Sequence, residues 1–121
     1  MTAPALLLAY AGCDTCRKAR TWLEAHAVPF TLRPIVDEPP TIDELRRWID
    51  ASDVPLRKWL NTSGLSYRAL GKARIDAATD DMLLTWLAAD GKLVKRPVLV
   101  WGGTVRVGFR SEAWEALLTT G

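Results

Sequence analysis

The two cysteines of this 121-residue chain stand together as Cys13-Asp14-Thr15-Cys16. An apolar run, Leu6-Leu7-Leu8-Ala9-Tyr10, precedes them, and a helical pattern through Trp22 and Leu23 follows. That order confines the fold more than any other feature. A buried strand bounded by Pro4 and Gly12 delivers Cys13 to a turn, and a helix begins at about Thr15. A thiol at such a helix start faces unpaired backbone N–H groups and the positive end of the helix dipole. Both favour the thiolate, which is the nucleophilic form. Cys13, ahead of the helix, is the expected attacking sulfur, and Cys16, about one turn in, is placed to close a disulfide on it. Arg17 and Lys18 add to the effect if they point back toward Cys13.

Other readings of the pair stay open. Cys16 falls on an apolar helix face with Ala19, Leu23 and Ala27, which also suits inert packing. A zinc site needs about four ligands, and the chain offers two cysteines and one histidine. His26 would lie roughly 15 Å along the helix from Cys16, at about 1.5 Å rise per residue, too far to share a metal with it.

The rest of the chain is read for elements that complete a sheet. The first helix runs to about His26 and stops at Val28-Pro29. Phe30 to Arg33 is a short strand with Phe30 and Leu32 on one face. Strand, helix and strand with so short a return make a parallel βαβ unit. Pro34 to Pro40 is a loop. Thr41-Ile42-Asp43-Glu44 is a capping box that opens a helix reaching about Ala51, amphipathic through Ile42, Leu45 and Ile49. Leu56 to Leu60 reads as a helical turn or two, Asn61-Thr62-Ser63-Gly64 as a loop, and Ser66 to Leu70 as a short helix. Thr79 caps a further helix ending near Asp90-Gly91, with Leu83, Trp86 and Leu87 inward. Val98 to Trp101 and Thr104 to Val107 form a hairpin about Gly102-Gly103. A terminal helix from Ser111 carries Ala113, Trp114, Leu117 and Leu118 on its apolar side. The expectation is an α/β, thioredoxin-like βαβ…ββα order with a four-stranded mixed sheet. The whole chain, residues 1–121, is expected to be a single domain with a helical insertion at about 41–91.

Composition excludes several classes. With 49% hydrophobic and 25% charged residues, the chain is an ordinary globular one rather than disordered. Six tryptophans read first as packing. No apolar run approaches the ~18 residues of a membrane span, and the N-terminus has no basic region ahead of Leu6, so a cytoplasmic location is the expectation. A net charge of +2 gives no ground for nucleic acid or membrane as a partner.

Several pieces together resemble the ArsC/Spx family of arsenate reductases and Spx-type transcription regulators. They are Gly12-Cys13-Asp14-Thr15-Cys16-Arg17-Lys18-Ala19, Glu38-Pro39-Pro40-Thr41, Asn61-Thr62-Ser63-Gly64 with Tyr67-Arg68, Lys95-Arg96-Pro97, and Val107-Gly108-Phe109. The resemblance implies a thioredoxin-like fold, Cys13 as the reactive thiol, and Arg96 with a cis Pro97 beside it. It also implies an arsenate substrate, with no bound cofactor and with glutathione/glutaredoxin or thioredoxin as external reductant. Arg96 falls on the slot of one oxyanion-binding arginine. A second slot falls at Asn61, which is uncharged, and a third at Phe109 or Arg110. The sequence alone also allows Lys92, Lys95 and Arg96 to be a solvated basic edge. The second cysteine resembles the redox switch of Spx, which binds RNA polymerase. Two alternatives therefore stand beside an arsenate reductase: an Spx-like regulator, and a general thiol–disulfide oxidoreductase.

Overall fold

The structure is a computed structural model that describes residues 4–119. Four strands, β1 (Ala5–Ala9), β2 (Phe30–Pro34), β3 (Val98–Trp101) and β4 (Thr104–Val107), form one sheet in the order β2-β1-β3-β4. β1 pairs in parallel with β2 and antiparallel with β3, and β3 pairs antiparallel with β4. Helix α1 (Asp14–Ala25) makes the crossover between β1 and β2. Between β2 and β3 lie α2 (Ile42–Ala51), α3 (Leu65–Leu70), α4 (Lys72–Asp76) and α5 (Asp80–Ala89), with 3₁₀ turns at Leu56–Trp59 and Gly91–Leu93. Helix α6 (Ser111–Thr119) closes the chain. This is the mixed, thioredoxin-like α/β arrangement expected. No helix among the described residues is long and apolar enough to cross a membrane.

The sheet separates two cores, because successive strand residues point to opposite faces. Ala5, Leu7, Ala9 and Leu99 pack with Cys16, Ala19, Trp22 and Leu23 of α1 and Trp114 of α6. Leu8, Val98 and Val105 pack on the other face with Ile35, Leu45, Trp48, Trp59 and the inner side of α5. Both cores are made of fully or nearly fully buried side chains, which supply the main stabilisation by removing apolar surface from water.

Local signals explain the element ends. The Thr41 hydroxyl accepts from the Glu44 amide at 3.1 Å, and the Glu44 carboxylate accepts from the Thr41 amide at 2.9 Å, the reciprocal pair that begins α2. Thr79 caps α5 by accepting from the Met82 amide.

Several expected faces differ. Ala27 lies past the end of α1 at φ 54 and is exposed, while Trp22 takes its place in the core. Leu32, on the edge strand β2, is exposed. On α2, Leu45 and Trp48 are the buried residues, with Ile42 and Ile49 half-buried. On α5, Leu84 joins Leu83 and Leu87, and Trp86 is half-buried beneath the Arg74 guanidinium, 5.3 Å from its ring centre. α3 ends at Leu70, where the sequence reading ended its short helix, and Gly71, at φ 87, separates it from α4, which the sequence did not announce. Trp114 is fully buried and Ala113 and Leu117 half-buried, whereas the Leu118 side chain lies outside the described residues.

Two close approaches tie the intervening helices to the sheet. The Leu60–Val94 bridge is flanked by the Asn61 amide donating to the Leu93 carbonyl at 2.7 Å and the Lys95 amide donating to the Trp59 carbonyl at 2.7 Å. Gly91 sits against the Ile35 backbone so tightly that a Cβ would stand 1.9 Å from the Ile35 carbonyl oxygen.

Candidate functional site

Cys13 is the N-cap residue of α1, with extended backbone at φ −105 and ψ 118. Its sulfur takes the place of the usual capping oxygen. The Cys16 amide donates to Cys13 Sγ at 3.3 Å. The sequence expectation of a thiol facing orphan helix N–H groups is therefore met at one named donor.

The two thiols have opposite characters. Burial pushes the Cys13 thiol up, but hydrogen bonds from the Cys16 thiol and amide, together with the Arg96 guanidinium, outweigh it and bring Cys13 below its ordinary value of 9.0. Burial, followed by the neighbouring Cys13 sulfur, pushes Cys16 up to about 12. Cys16 is 1% exposed, and its sulfur accepts from the Tyr10 amide at 3.5 Å. Cys13 is half-buried and open to a cleft. The pair thus sets a thiol of lowered pKa, open to the cleft, in front of a buried thiol that holds its proton.

Arg96 is carried to Cys13 by the chain entering β3. The Arg96–Pro97 peptide bond is cis, as the resemblance implied, and Pro97 is buried. The Pro97 carbonyl accepts from the Gly108 amide at 2.8 Å, which fixes this segment to the end of β4. The Arg96 guanidinium lies 4.8 Å from the Tyr10 ring centre, a cation–π contact that holds it over the turn. Tyr10, which the sequence offered only as the end of an apolar run, therefore has a contact that positions Arg96. Arg17 does not turn back to Cys13. It is exposed and paired with Asp14 in the same helical turn.

A cleft of about 430 Å³ brings together Cys13, Asn61, Lys95, Arg96, Gly108 and Arg110. Of the residues expected at a site, Cys13, Asn61, Arg96 and Arg110 line one cavity; Cys16 and Pro97 are buried behind it. Phe109 lines it as well, so both candidates for the third slot reach the cleft. They differ in their engagement. Phe109 packs edge-on against Trp114 at 4.8 Å, while Arg110 is exposed. Arg68 is exposed on α3 and is not one of the residues lining the cleft.

Asn61 is held by its own neighbours. Its Nδ2 donates to the Lys92 carbonyl at 3.3 Å and its Oδ1 accepts from the Ser63 hydroxyl at 3.2 Å. A second cavity of about 380 Å³ adjoins the first and shares Asn61, Ser63 and Lys95 with it; Arg57, Lys58 and Tyr67 lie on its far side. Lys95, read from the sequence only as part of a basic edge, is thus on the wall between two cavities. The antiparallel contact of residues 59–61 with 93–95 puts it there, and no local sequence pattern announces that contact.

Known proteins resemble this chain in sequence and fold. Residues 8–117 match the model of the ArsC family. The chain is 40% identical over 107 residues to the uncharacterized protein YusI of Bacillus subtilis (strain 168), covering 88% of this chain and 91% of that one. It is 28% identical over 106 residues to the global transcriptional regulator Spx 1 of Lactococcus lactis subsp. lactis, covering 88% and 82% respectively. Among solved structures, the ArsC family related protein from Bacteroides fragilis superimposes with a TM-score of 0.90 at 42% identity, covering 95% of this chain and 98% of that one. A possible arsenate reductase from Streptococcus mutans UA159 gives 0.85 at 38% identity, with the same coverage.

Proposed function

The chain belongs to the ArsC family, and on that premise we propose that it is a thiol-dependent reductase of a small oxyanion, converting arsenate to arsenite. The observation that carries the reading is the single cleft in which the Cys13 sulfur meets Arg96 and Arg110. A guanidinium binds two oxygens of an oxyanion at once and neutralises the charge that would otherwise repel an incoming thiolate. The possible arsenate reductase of Streptococcus mutans supports the same substrate.

In this reading the Cys13 thiolate attacks arsenic. An As–S bond forms, an As–O bond breaks, and the departing oxygen leaves as water after taking up protons. Cys16 then loses its proton and attacks Cys13 Sγ. The S–S bond forms, the S–As bond breaks, and its electron pair leaves with arsenic as arsenite. The two thiols supply both electrons, so no bound cofactor is needed. An external thiol, thioredoxin or glutathione with glutaredoxin, restores the pair. The Cys16 thiol suits the second step. The Cys13 thiolate helps keep it protonated, and that influence ends once Cys13 is bonded to arsenic.

The test is arsenate reduction followed with each reductant system separately. Turnover that disappears in Cys13→Ser is expected; absence of turnover with both systems overturns the reading. The Spx relative favours a second one, in which the Cys13–Cys16 disulfide alters a surface that binds RNA polymerase. Polymerase capture by the reduced or the oxidised form alone, lost in Cys13→Ser, would establish that role instead.

A further inference from the structure

We propose that Lys95 is the third cation of the Cys13 cleft and selects an anionic substrate in place of the charge that Asn61 lacks. This rests on the oxyanion reading above and names a residue that the reading did not use. Three observations support it. First, the backbone of Lys95 is fixed in position and its exposed side chain leaves it beside Gly108. Its amide donates to the Trp59 carbonyl at 2.7 Å, and its stem runs beside Gly108, where an added Cβ would stand 3.5 Å from Lys95 Cε. Gly108 has φ 79, a conformation that glycine adopts without strain. The backbone there turns away without a side chain, and the lysine stem lies alongside it.

Second, the charge of Lys95 is uncommitted. Among the described residues the ion pairs are Arg17–Asp14, Arg33–Glu44, Arg46–Asp81 and Lys72–Asp76, and none includes Lys95. The acid on the neighbouring cavity, Asp76, is taken by Lys72 at 2.6 Å. Arg57, also on that cavity, is occupied in structure: it donates to the carbonyls of Ile75 and Ala78 at 3.0 and 2.7 Å.

Third, Asn61 is poorly suited to the task. One of its amide hydrogens goes to the Lys92 carbonyl, and its oxygen repels an anion. Lys95 reaches the same cleft from the strand segment paired with Asn61. An ammonium is a compact charge with three donors, so it attracts an anion without the fixed fork of a guanidinium. The cleft then chooses substrates by negative charge, with Arg96 and Arg110 beside Lys95 and the thiol at the centre.

The test uses two alkylating probes that differ in charge, iodoacetate and iodoacetamide, on the full reduced chain at low ionic strength, with mass spectrometry assigning the product to Cys13. Any change in thiolate fraction affects both probes alike, so the ratio of their rates reports the local field. Lys95→Gln is expected to lower the iodoacetate/iodoacetamide ratio about fivefold, an effect that salt suppresses. Lys95→Arg is expected to restore it. A ratio equal to wild type in Lys95→Gln overturns the proposal. The readout does not require arsenate turnover. Absent turnover with a lowered ratio removes the arsenate reading and leaves Lys95 as an anion selector. Turnover with an unchanged ratio removes Lys95 alone.

Discussion

The Cys16 amide points at the Cys13 sulfur across 3.3 Å. The residue that supplies the second thiol therefore also steadies the charge on the first. One turn of helix performs two tasks: its backbone favours the attacking thiolate, and its side chain waits behind it in the core. The consequences separate by atom. Substituting the Cys16 side chain leaves the amide in place but removes the thiol hydrogen bond to Cys13, so only a replacement that keeps a donor there, such as serine, separates activation of Cys13 from resolution of its adduct.

For that reason Cys16→Ser is expected to keep a Cys13 that alkylates faster than a free thiol at neutral pH, while losing turnover supported by thioredoxin. An arsenate-treated Cys16→Ser protein should accumulate the Cys13 adduct, visible by intact-mass analysis. Full thioredoxin-supported turnover in this variant would show that Cys16 is not the resolving thiol.

Removing the Arg96 charge should raise the Cys13 pKa. The guanidinium is one of the groups that bring Cys13 below 9.0, so Arg96→Gln moves the inflection of a pH–alkylation profile upward. The Cys16 amide remains as a donor, so the expected change is a shift rather than a return to an ordinary thiol.

The two thiols also impose a pH dependence on stability. Native Cys13 titrates below 9.0, so between its native value and 9.0 the unfolded chain holds more protons and stability rises with pH. That contribution is lost as pH falls through the native value. Cys16 acts in reverse. From about pH 9 toward 12 the native state keeps a proton that the unfolded chain has released, and stability falls by up to about 1.4 kcal/mol per pH unit. Urea unfolding of the reduced protein should show this alkaline decline, and Cys16→Ala should flatten it.

Glu44 anchors the loop after β2. Its carboxylate meets Arg33 through two contacts, at 2.8 and 2.9 Å, and Arg33 also donates to the Glu38 and Pro39 carbonyls. Glu44→Ala is expected to cost about 2 kcal/mol, from the lost carboxylate half of the capping box and the half-buried guanidinium left without its carboxylate partner. The hydrogen bond from Arg33, foremost, holds the Glu44 carboxyl below its ordinary 4.5. Its contribution is complete above that value and disappears as pH falls through the native pKa, so Glu44→Gln should reduce the acid sensitivity seen in chemical denaturation.

Gly91→Ala tests the joint between the intervening helices and the sheet. The new methyl would collide with the Ile35 backbone, which has no flexible end to yield. A loss of at least about 3 kcal/mol is expected. A change below 1 kcal/mol in urea unfolding (roughly the level of a surface substitution) would show that the two segments separate readily.

Much of this arrangement was legible because it is written locally. The strand, cysteine turn and helix, the Thr41–Glu44 box, and the hairpin at Gly102-Gly103 each depend on residues a few positions apart. The edge at Arg96-Pro97 was legible only through family resemblance. Contacts made across the fold were not readable. The core place of Trp22 was expected, but its partner Trp114, brought to within 5.7 Å by α6, was not, and neither was the exposure of Leu32 on the edge strand β2. The place of Lys95 in the cleft, as against a basic edge, was unreadable for the same reason, since it depends on the Leu60–Val94 bridge.

The two cores on opposite faces of the sheet support different parts of the cleft. Cys13 stands over the face shared by α1 and α6, next to Phe109. Asn61 and Lys95 flank Leu60 and Val94, which are rooted in the other face. The thiol and the Asn61–Lys95 wall of the cleft therefore rest on separate foundations. Substitutions in the intervening helices can redraw that wall without disturbing the turn that holds the thiol, so a cysteine at this helix start does not by itself fix what the cleft admits.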